Sequence, residues 1–267
     1  MKDKVIVITG ASAGIGAKLA EVCAARGARV VLAARREPEL AAVAGGLGEL
    51  ALAVPTDVTR RADNERLRDR ALERFGQLDA WVANAGRGIS RPVSQLTDED
   101  LDDMITTNVR SVLYGVQAAL PHFRAQGRGH LIAVSSMLGR IPLAPIRSAY
   151  SAAKAAVNSL MTSLRLELRA ELPGVHVSTV LPGVVATDFG KRALHGGADS
   201  RTLPNAQPVE DVAALIADLI EHPRAELYTR PELRELAGRY YSAEDVGALE
   251  AQPPFTGFTA APPASKP

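Results

Sequence analysis

The sequence predicts an α/β fold with a doubly wound parallel sheet, and three observations carry that expectation. First, the β-branched run Val5-Ile6-Val7-Ile8 leads into Thr9-Gly10-Ala11-Ser12-Ala13-Gly14-Ile15-Gly16, and a helix-like stretch from Ala17 to Arg26 follows. Strand, glycine-rich turn and helix in that order make a phosphate cradle. Second, short apolar runs alternate with helical stretches down the chain, the pattern of βα units wound into a parallel sheet. Third, 267 residues with 46% hydrophobic and 23% charged side chains have ordinary globular composition and the length for one large core.

In the first turn Gly10 permits the tight bend, Gly14 lets backbone approach a pyrophosphate and Gly16 lets the helix pack on the strand. Ser12 and Ile15 belong to the same cradle. Gly27 closes the helix, and Ala28 to Ala34 reads as a second strand ending in Arg35-Arg36. In a dinucleotide fold this strand end meets the adenosine ribose, where an acid suits a free 2′-OH and an arginine suits a 2′-phosphate. The arginines therefore predict NADP(H) as the preferred cofactor, with NAD(H) possible. Leu52 to Val58 is expected to be a third strand running into a loop with Asp57, followed by a helix from about Ala62 to Phe75. Leu78 to Ala83 is the fourth strand and ends in Asn84-Ala85-Gly86.

Thr97 followed by Asp98-Glu99-Asp100 reads as an N-cap with carboxylates in the first turn, where negative charge complements the helix dipole, rather than as a cation site. That helix carries Asn108 and is expected to run to about Pro121 or slightly beyond. His130 to Ser136 is the next strand, ending in two serines, and the long helix after it holds Tyr150 and Lys154. Val175 to Val180 is a further strand, followed by Leu181-Pro182-Gly183-Val184-Val185-Ala186-Thr187. From Asp188 to Pro208 periodicity is lost, which predicts a mobile segment beyond the sheet edge. A helix from Pro208 to Ile220 and a last strand from Ala225 to Thr229 complete the pattern. Residues 1–251 are expected to form one domain, and the Pro- and Ala-rich stretch 252–267 to add little to its core.

Composition argues against other classes. A formal net charge of +1 gives no electrostatic reason to expect nucleic acid or an anionic membrane. The five histidines, at 122, 130, 176, 195 and 222, lack ligand spacing, so no metal is expected. The lone Cys23 sits in an apolar-periodic run and reads as a small buried helix residue. With no internal disulfide possible and no apolar run near the ~20 residues of a membrane span, a cytoplasmic protein is expected.

The stretch Ser148-Ala149-Tyr150-Ser151-Ala152-Ala153-Lys154 places a phenol and an ammonium four residues apart, hence on one helical face. A nearby cation favours phenolate, so the pair predicts a tyrosine pKa pulled down toward neutrality and a general acid suited to a carbonyl. Such pairs also recur on solvated helix faces, and the rest of the chain has to decide. Thr9-Gly10-x-x-x-Gly14-Ile15-Gly16, Asn84-Ala85-Gly86, Asn108, Ser136, Tyr150-x-x-x-Lys154 and Pro182-Gly183-x-x-x-Thr187 together resemble the short-chain dehydrogenase/reductase family over about residues 4 to 230.

The resemblance implies a Rossmann-type sheet binding NAD(P)(H), with Asn108, Ser136, Tyr150 and Lys154 as catalytic residues. It further implies that Asp57 meets the adenine edge, that Asn84, Ala85 and Gly86 lie along the cofactor, and that Pro182, Gly183, Val185 and Thr187 hold its nicotinamide end. The substrate implied is a small carbonyl compound or alcohol, and the assembly a homodimer or homotetramer. Two features depart from the family pattern. Ser136 and Tyr150 are 14 residues apart (150 − 136), one more than expected, and Leu227-Tyr228-Thr229-Arg230-Pro231 stands where an Asp-Gly-Gly turn would pack across a tetramer. A nucleotide-sensing regulator and a nicotinamide-dependent epimerase or dehydratase are the competing readings. Intact Tyr150 and Lys154 argue against the first, and the short chain after Asp188 against the second. Residues 188–208 are expected to act as a substrate-side lid with Phe189, Leu194 and Leu203 as apolar contacts and Gly196-Gly197 as its source of freedom.

Overall fold

The computed structural model describes residues 1–257. Seven strands, β1 (Val5–Thr9), β2 (Arg29–Ala34), β3 (Ala51–Pro55), β4 (Ala80–Ala83), β5 (Gly129–Val134), β6 (Val175–Leu181) and β7 (Glu226–Tyr228), form one sheet in the order β3-β2-β1-β4-β5-β6-β7. Every pairing is parallel, with Val7 opposite Val31 on one side and Trp81 on the other. The order reverses between β1 and β4, and in open parallel sheets the crevice beyond the strand C-termini at such a reversal is where ligands bind.

Side-chain alternation along each strand decides which helices cover which face. Ile6, Ile8, Val30, Leu32, Val82 and Ile132 point to the side covered by α1 (Gly14–Ala25), α2 (Glu37–Leu47) and α7 (Val209–Glu221). Val5, Val7, Val31, Trp81, Leu131 and Ala133 point to the other, covered by α3 (Arg61–Phe75), α5 (Ser111–Gln126) and α6 (Ser148–Glu171). Cys23 is fully buried in the first layer, and burial pushes its thiol up to about 12, as suits a packing residue.

The helix opened by Thr97 is divided. α4 (Asp98–Ile105) begins with a capping box in which Thr97 Oγ1 accepts from the Asp100 N–H at 3.2 Å and the Asp100 carboxylate accepts from the Thr97 N–H at 3.3 Å. A π-helical turn, Thr106–Arg110, then precedes α5 (Ser111–Gln126), which contains Pro121 and ends five residues beyond it. Asn108 occupies that turn, where its side chain bonds to the loop after β4. Three helices exceed the expected pattern: α2, and beyond β7, α8 (Pro231–Ser242) and α9 (Val246–Glu250). Ala237 of α8 is buried with Met137 and Ile141, and the Phe255 and Tyr240 rings lie 5.7 Å apart. The chain past Gln252 therefore contributes a partly buried side chain, while residues 258–267 of the expected tail lie outside the described residues.

The segment 188–208 is tied to the body. Leu194 bonds through backbone to Gly88 and Ser90, Gln207 exchanges backbone bonds with Val184 and Ala186, and His195 Nε2 lies 2.6 Å from Asp100 Oδ1. Asp100 is buried and also receives Arg91 at 2.7 Å, and these partners hold its carboxyl below the usual range, His195 foremost. The mobile segment expected from its lost periodicity is thus anchored through backbone and ion pairs, which hydropathy patterning does not register.

Candidate active site

The singled-out residues collect at the C-terminal edge of the sheet, because each follows a strand or faces that edge from α6 or, for Asn108, from the π-turn before α5. The turn after β1 carries Gly10, Ser12, Gly14, Ile15 and Gly16; β2 delivers Arg35 and Arg36; β3 delivers Asp57; β4 delivers Asn84, Ala85 and Gly86; β5 delivers Ser136; and β6 delivers Pro182, Gly183, Val185 and Thr187.

The β1–α1 turn is built around close backbone approach. A Cβ on Gly16 would stand 2.5 Å from the Gly10 carbonyl oxygen, and Gly10 itself has φ +68° with the Ala85 backbone 2.9 Å from where its Cβ would be. Thr9 Oγ1 accepts from the N–H groups of Asn84 and Ala85, both at 3.0 Å, and the Asn84 amide donates to the Thr9 carbonyl at 2.9 Å, joining this turn to the one after β4. α1 starts from Ala13, which has no side-chain acceptor, and no acid occupies its first turn. Its leading N–H groups and dipole are left for an external anion. Thr187 closes the cradle from the β6 side, its methyl 3.3 Å from a Cβ at Gly14. A glycine-lined, uncapped helix start facing a threonine fits a dinucleotide pyrophosphate.

At the end of β2 the two arginines differ. Arg36 is half-buried and donates to Ser12 Oγ at 2.9 Å and Glu39 at 3.1 Å, so it lies across the glycine turn. Arg35 is exposed. Asp57 accepts from the N–H and hydroxyl of Thr59 at 3.0 and 2.7 Å, which fixes its carboxylate at the mouth of β3.

Tyr150 and Lys154 share the inner face of α6, with the ammonium 5.6 Å from the phenol ring centre. Lys154 donates to the Val134 carbonyl at 2.9 Å and stands 3.4 Å from where a Gly86 Cβ would be, a position 2.8 Å from Asn108 Oδ1. The absent side chain at Gly86 thus leaves Lys154 and Asn108 facing one small space. Asn108 is held by local bonds: Oδ1 accepts from the Arg87 N–H at 3.0 Å, and Nδ2 donates to the carbonyls of Arg87 and Met104 at 3.0 and 3.1 Å, which uses both amide donors. The Ser136 hydroxyl accepts from the Leu138 N–H at 3.1 Å, which directs it beside Tyr150. Ser135 instead donates to the Lys154 carbonyl, bracing α6, so the choice of Ser136 over Ser135 agrees with their placement.

The electrostatics correct one expectation. Burial pushes the Tyr150 phenol up to about 12, with Ser136 and the Arg147 guanidinium pulling the other way, so the pKa is raised and not lowered toward neutrality. Burial likewise pulls Lys154 down to about 8. A phenol and an ammonium both removed from water are penalised in their charged forms, and burial is the leading cause of both shifts. Phe189 sets its ring 5.6 Å from that of Tyr150, and together with Leu194 it packs on Ile89, Met104 and Ala149; Leu203 does not join this cluster. Arg147, one turn before Tyr150, was not foreseen from the sequence. The i−3 spacing was visible, but the inward turn of its guanidinium depends on loops distant in the chain.

The short chain dehydrogenase family model matches residues 4–196. An uncharacterized oxidoreductase of Listeria innocua is 42% identical over 193 residues, 71% of this chain and 77% of the relative. Among solved structures, a short-chain dehydrogenase/reductase of Burkholderia phymatum in complex with NAD superposes with a TM-score of 0.82 at 26% identity, covering 99% of both chains. An alcohol dehydrogenase of the archaeon Thermococcus sibiricus, complexed with 5-hydroxy-NADP, gives 0.74 at 29% identity over 84% of this chain and 95% of its own.

Proposed function

The chain belongs to the short-chain dehydrogenase/reductase family, and from that membership we propose that it is an NADP(H)-preferring oxidoreductase acting on a carbonyl or secondary alcohol, with Tyr150 as general acid and base. The observation that carries this reading is the convergence of Ser136, Tyr150, Lys154 and Asn108 at the sheet edge beside the uncapped start of α1. A bound nicotinamide supplies or accepts the hydride.

The chain's own residues handle the oxygen and its proton. Ser136 donates to the substrate oxygen, and Tyr150 gives that oxygen its proton in reduction or takes it in oxidation. A phenol held at about 12 by burial stays protonated at neutral pH, the form a reductase needs at the start of turnover. Lys154, near neutrality, can release and regain a proton and so resupply the phenol. Asn108 holds the π-turn and the Arg87 loop together, which keeps the space between Gly86 and Lys154 open for a proton-relaying water. The cradle from Gly10 to Gly16 holds pyrophosphate, Asp57 the adenine edge, and Thr187 with Pro182, Gly183 and Val185 the nicotinamide end. Segment 188–208 serves as a substrate-side lid through Phe189 and Leu194, held at Leu194 and Gln207 by backbone bonds to the body. We place the protein in the cytoplasm as a homodimer or homotetramer.

The preference for NADP(H) rests on the end of β2, where Ala34 and Arg35 stand in place of an acid and Arg36 already bonds Ser12. Each guanidinium bond to a 2′-phosphate is worth about tenfold to a hundredfold in affinity. Dissociation constants measured by calorimetry are expected to favour NADPH over NADH. Arg35→Ala is expected to weaken NADPH binding and leave NADH nearly unchanged, and Ala34→Asp to reverse the order. Equal constants for the two cofactors in the wild-type protein would overturn the preference.

A further inference from the structure

The proposed chemistry leaves one partly buried cation without a task. Arg147 stands one turn before Tyr150 at the start of α6, and its guanidinium donates through Nη1 to the Ile89 carbonyl at 3.1 Å. That bond uses one of five N–H donors. The acids of this neighbourhood are engaged elsewhere, Asp100 with Arg91 and His195 and Asp188 with Arg192, and no carboxylate lies within 4.0 Å of Arg147 among the described residues.

Two glycines let backbone run close beside the guanidinium, where any Cβ would collide. A Cβ on Gly88 would meet Nη1 at 3.2 Å and the Phe189 ring at 3.0 Å, and one on Gly197 would meet Nη2 at 3.2 Å and Ser90 Oγ at 2.9 Å. The Phe189 ring is itself 5.6 Å from that of Tyr150, so one aromatic side chain borders both the phenol and the glycine next to the guanidinium. Ser90 Oγ is buried and has no hydrogen-bond partner in the protein. The buried Ser90 hydroxyl has no partner, and the Arg147 Nη2 beside it at Gly197 has no protein acceptor among the described residues; the hydroxyl costs free energy unless a partner reaches it.

We propose that Arg147, with Ser90, holds a carboxylate of the substrate, so that the enzyme acts on oxo acids and hydroxy acids. This rests on the oxidoreductase reading above. A planar guanidinium whose one protein bond goes to the Ile89 carbonyl keeps N–H groups that match a carboxylate two bonds at a time, and Gly88, Phe189 and Gly197 lie around it. Burial lowers the Arg147 pKa while Tyr150 raises it, consistent with a cation that faces the phenol and lacks a resident counter-ion.

Matched pairs of α-, β- and γ-oxo acids and their methyl esters test the assignment in two readouts. Calorimetric binding to the wild-type NADPH complex is expected to favour at least one acid over its ester by tenfold or more, and kcat/KM is expected to show the same ratio, mostly through KM. In Arg147→Gln the acid-to-ester ratio should collapse toward one, and Arg147→Lys should retain part of it. Esters bound as tightly as acids, or acid and ester falling together in Arg147→Gln with the ratio kept, would overturn the carboxylate role. Because binding is read apart from turnover, acid-selective binding without hydride transfer would overturn the oxidoreductase reading and still support Arg147 as the anion contact.

Discussion

A methyl group at position 16 would stand 2.5 Å from the Gly10 carbonyl oxygen and 2.7 Å from the Asn84 side-chain nitrogen. Backbone cannot yield there as a flexible side chain would, since Asn84 and Thr9 already fasten the two turns together. Gly16→Ala is therefore expected to lose about 1–3 kcal/mol of stability through overpacking and to weaken NADPH binding at least tenfold by displacing the cradle. Thermal melting and calorimetry check both, and an unchanged dissociation constant would show that the cradle does not hold the cofactor. Residues such as Gly16, Tyr150 and Lys154 were legible because a fixed local spacing sets their geometry. The Tyr150 pKa was not, because burial by Phe189 and Ile89 comes from loops far away in sequence.

At the scale of elements, period and punctuation mark strongly buried segments and pass over weakly buried ones. All seven strands were readable, since each is a compact apolar run bounded by turn residues, although β3 and β5 end earlier than hydropathy suggests. α2 was missed because Leu40 is its one fully buried residue and Gly45-Gly46 interrupt its pattern. α8 buries only Ala237 on its core-facing side and so shows a similarly faint stripe. The break between α4 and α5 carries no proline or glycine at Thr106–Arg110, and Pro121 is accommodated inside α5. π-turns of this kind concentrate at functional sites, and here the turn presents Asn108. The anchoring of 188–208 lay beyond sequence reading for another reason. It depends on single partners such as His195 with Asp100, and no periodicity encodes a pair 95 residues apart.

At the scale of the whole molecule, a pH liability sits at the N-terminal end of β5, the strand whose other end leads to Ser136. His130 in β5 is buried, with Nε2 2.7 Å from Ser178 Oγ, and burial pushes its pKa down to about 3 from an ordinary 6.5. Between those values the unfolded chain binds a proton that the folded chain refuses, so stability falls as pH drops from 6.5 toward 3, by at most about 1.4 kcal/mol per pH unit. Urea midpoints measured across that range are expected to fall less steeply in His130→Gln than in the wild type. Equal slopes would contradict a neutral buried imidazole. The active-site claim is independent of this, because it concerns how one sheet edge gathers Ser136, Tyr150 and Lys154 around a transferred proton. Its most direct test is the rate of NADPH oxidation by wild type and Tyr150→Phe on the same carbonyl substrate, with NADPH affinity measured alongside. The account predicts a rate at least ~10² lower in the variant with cofactor affinity retained, and a Tyr150→Phe enzyme turning over at the wild-type rate would contradict it.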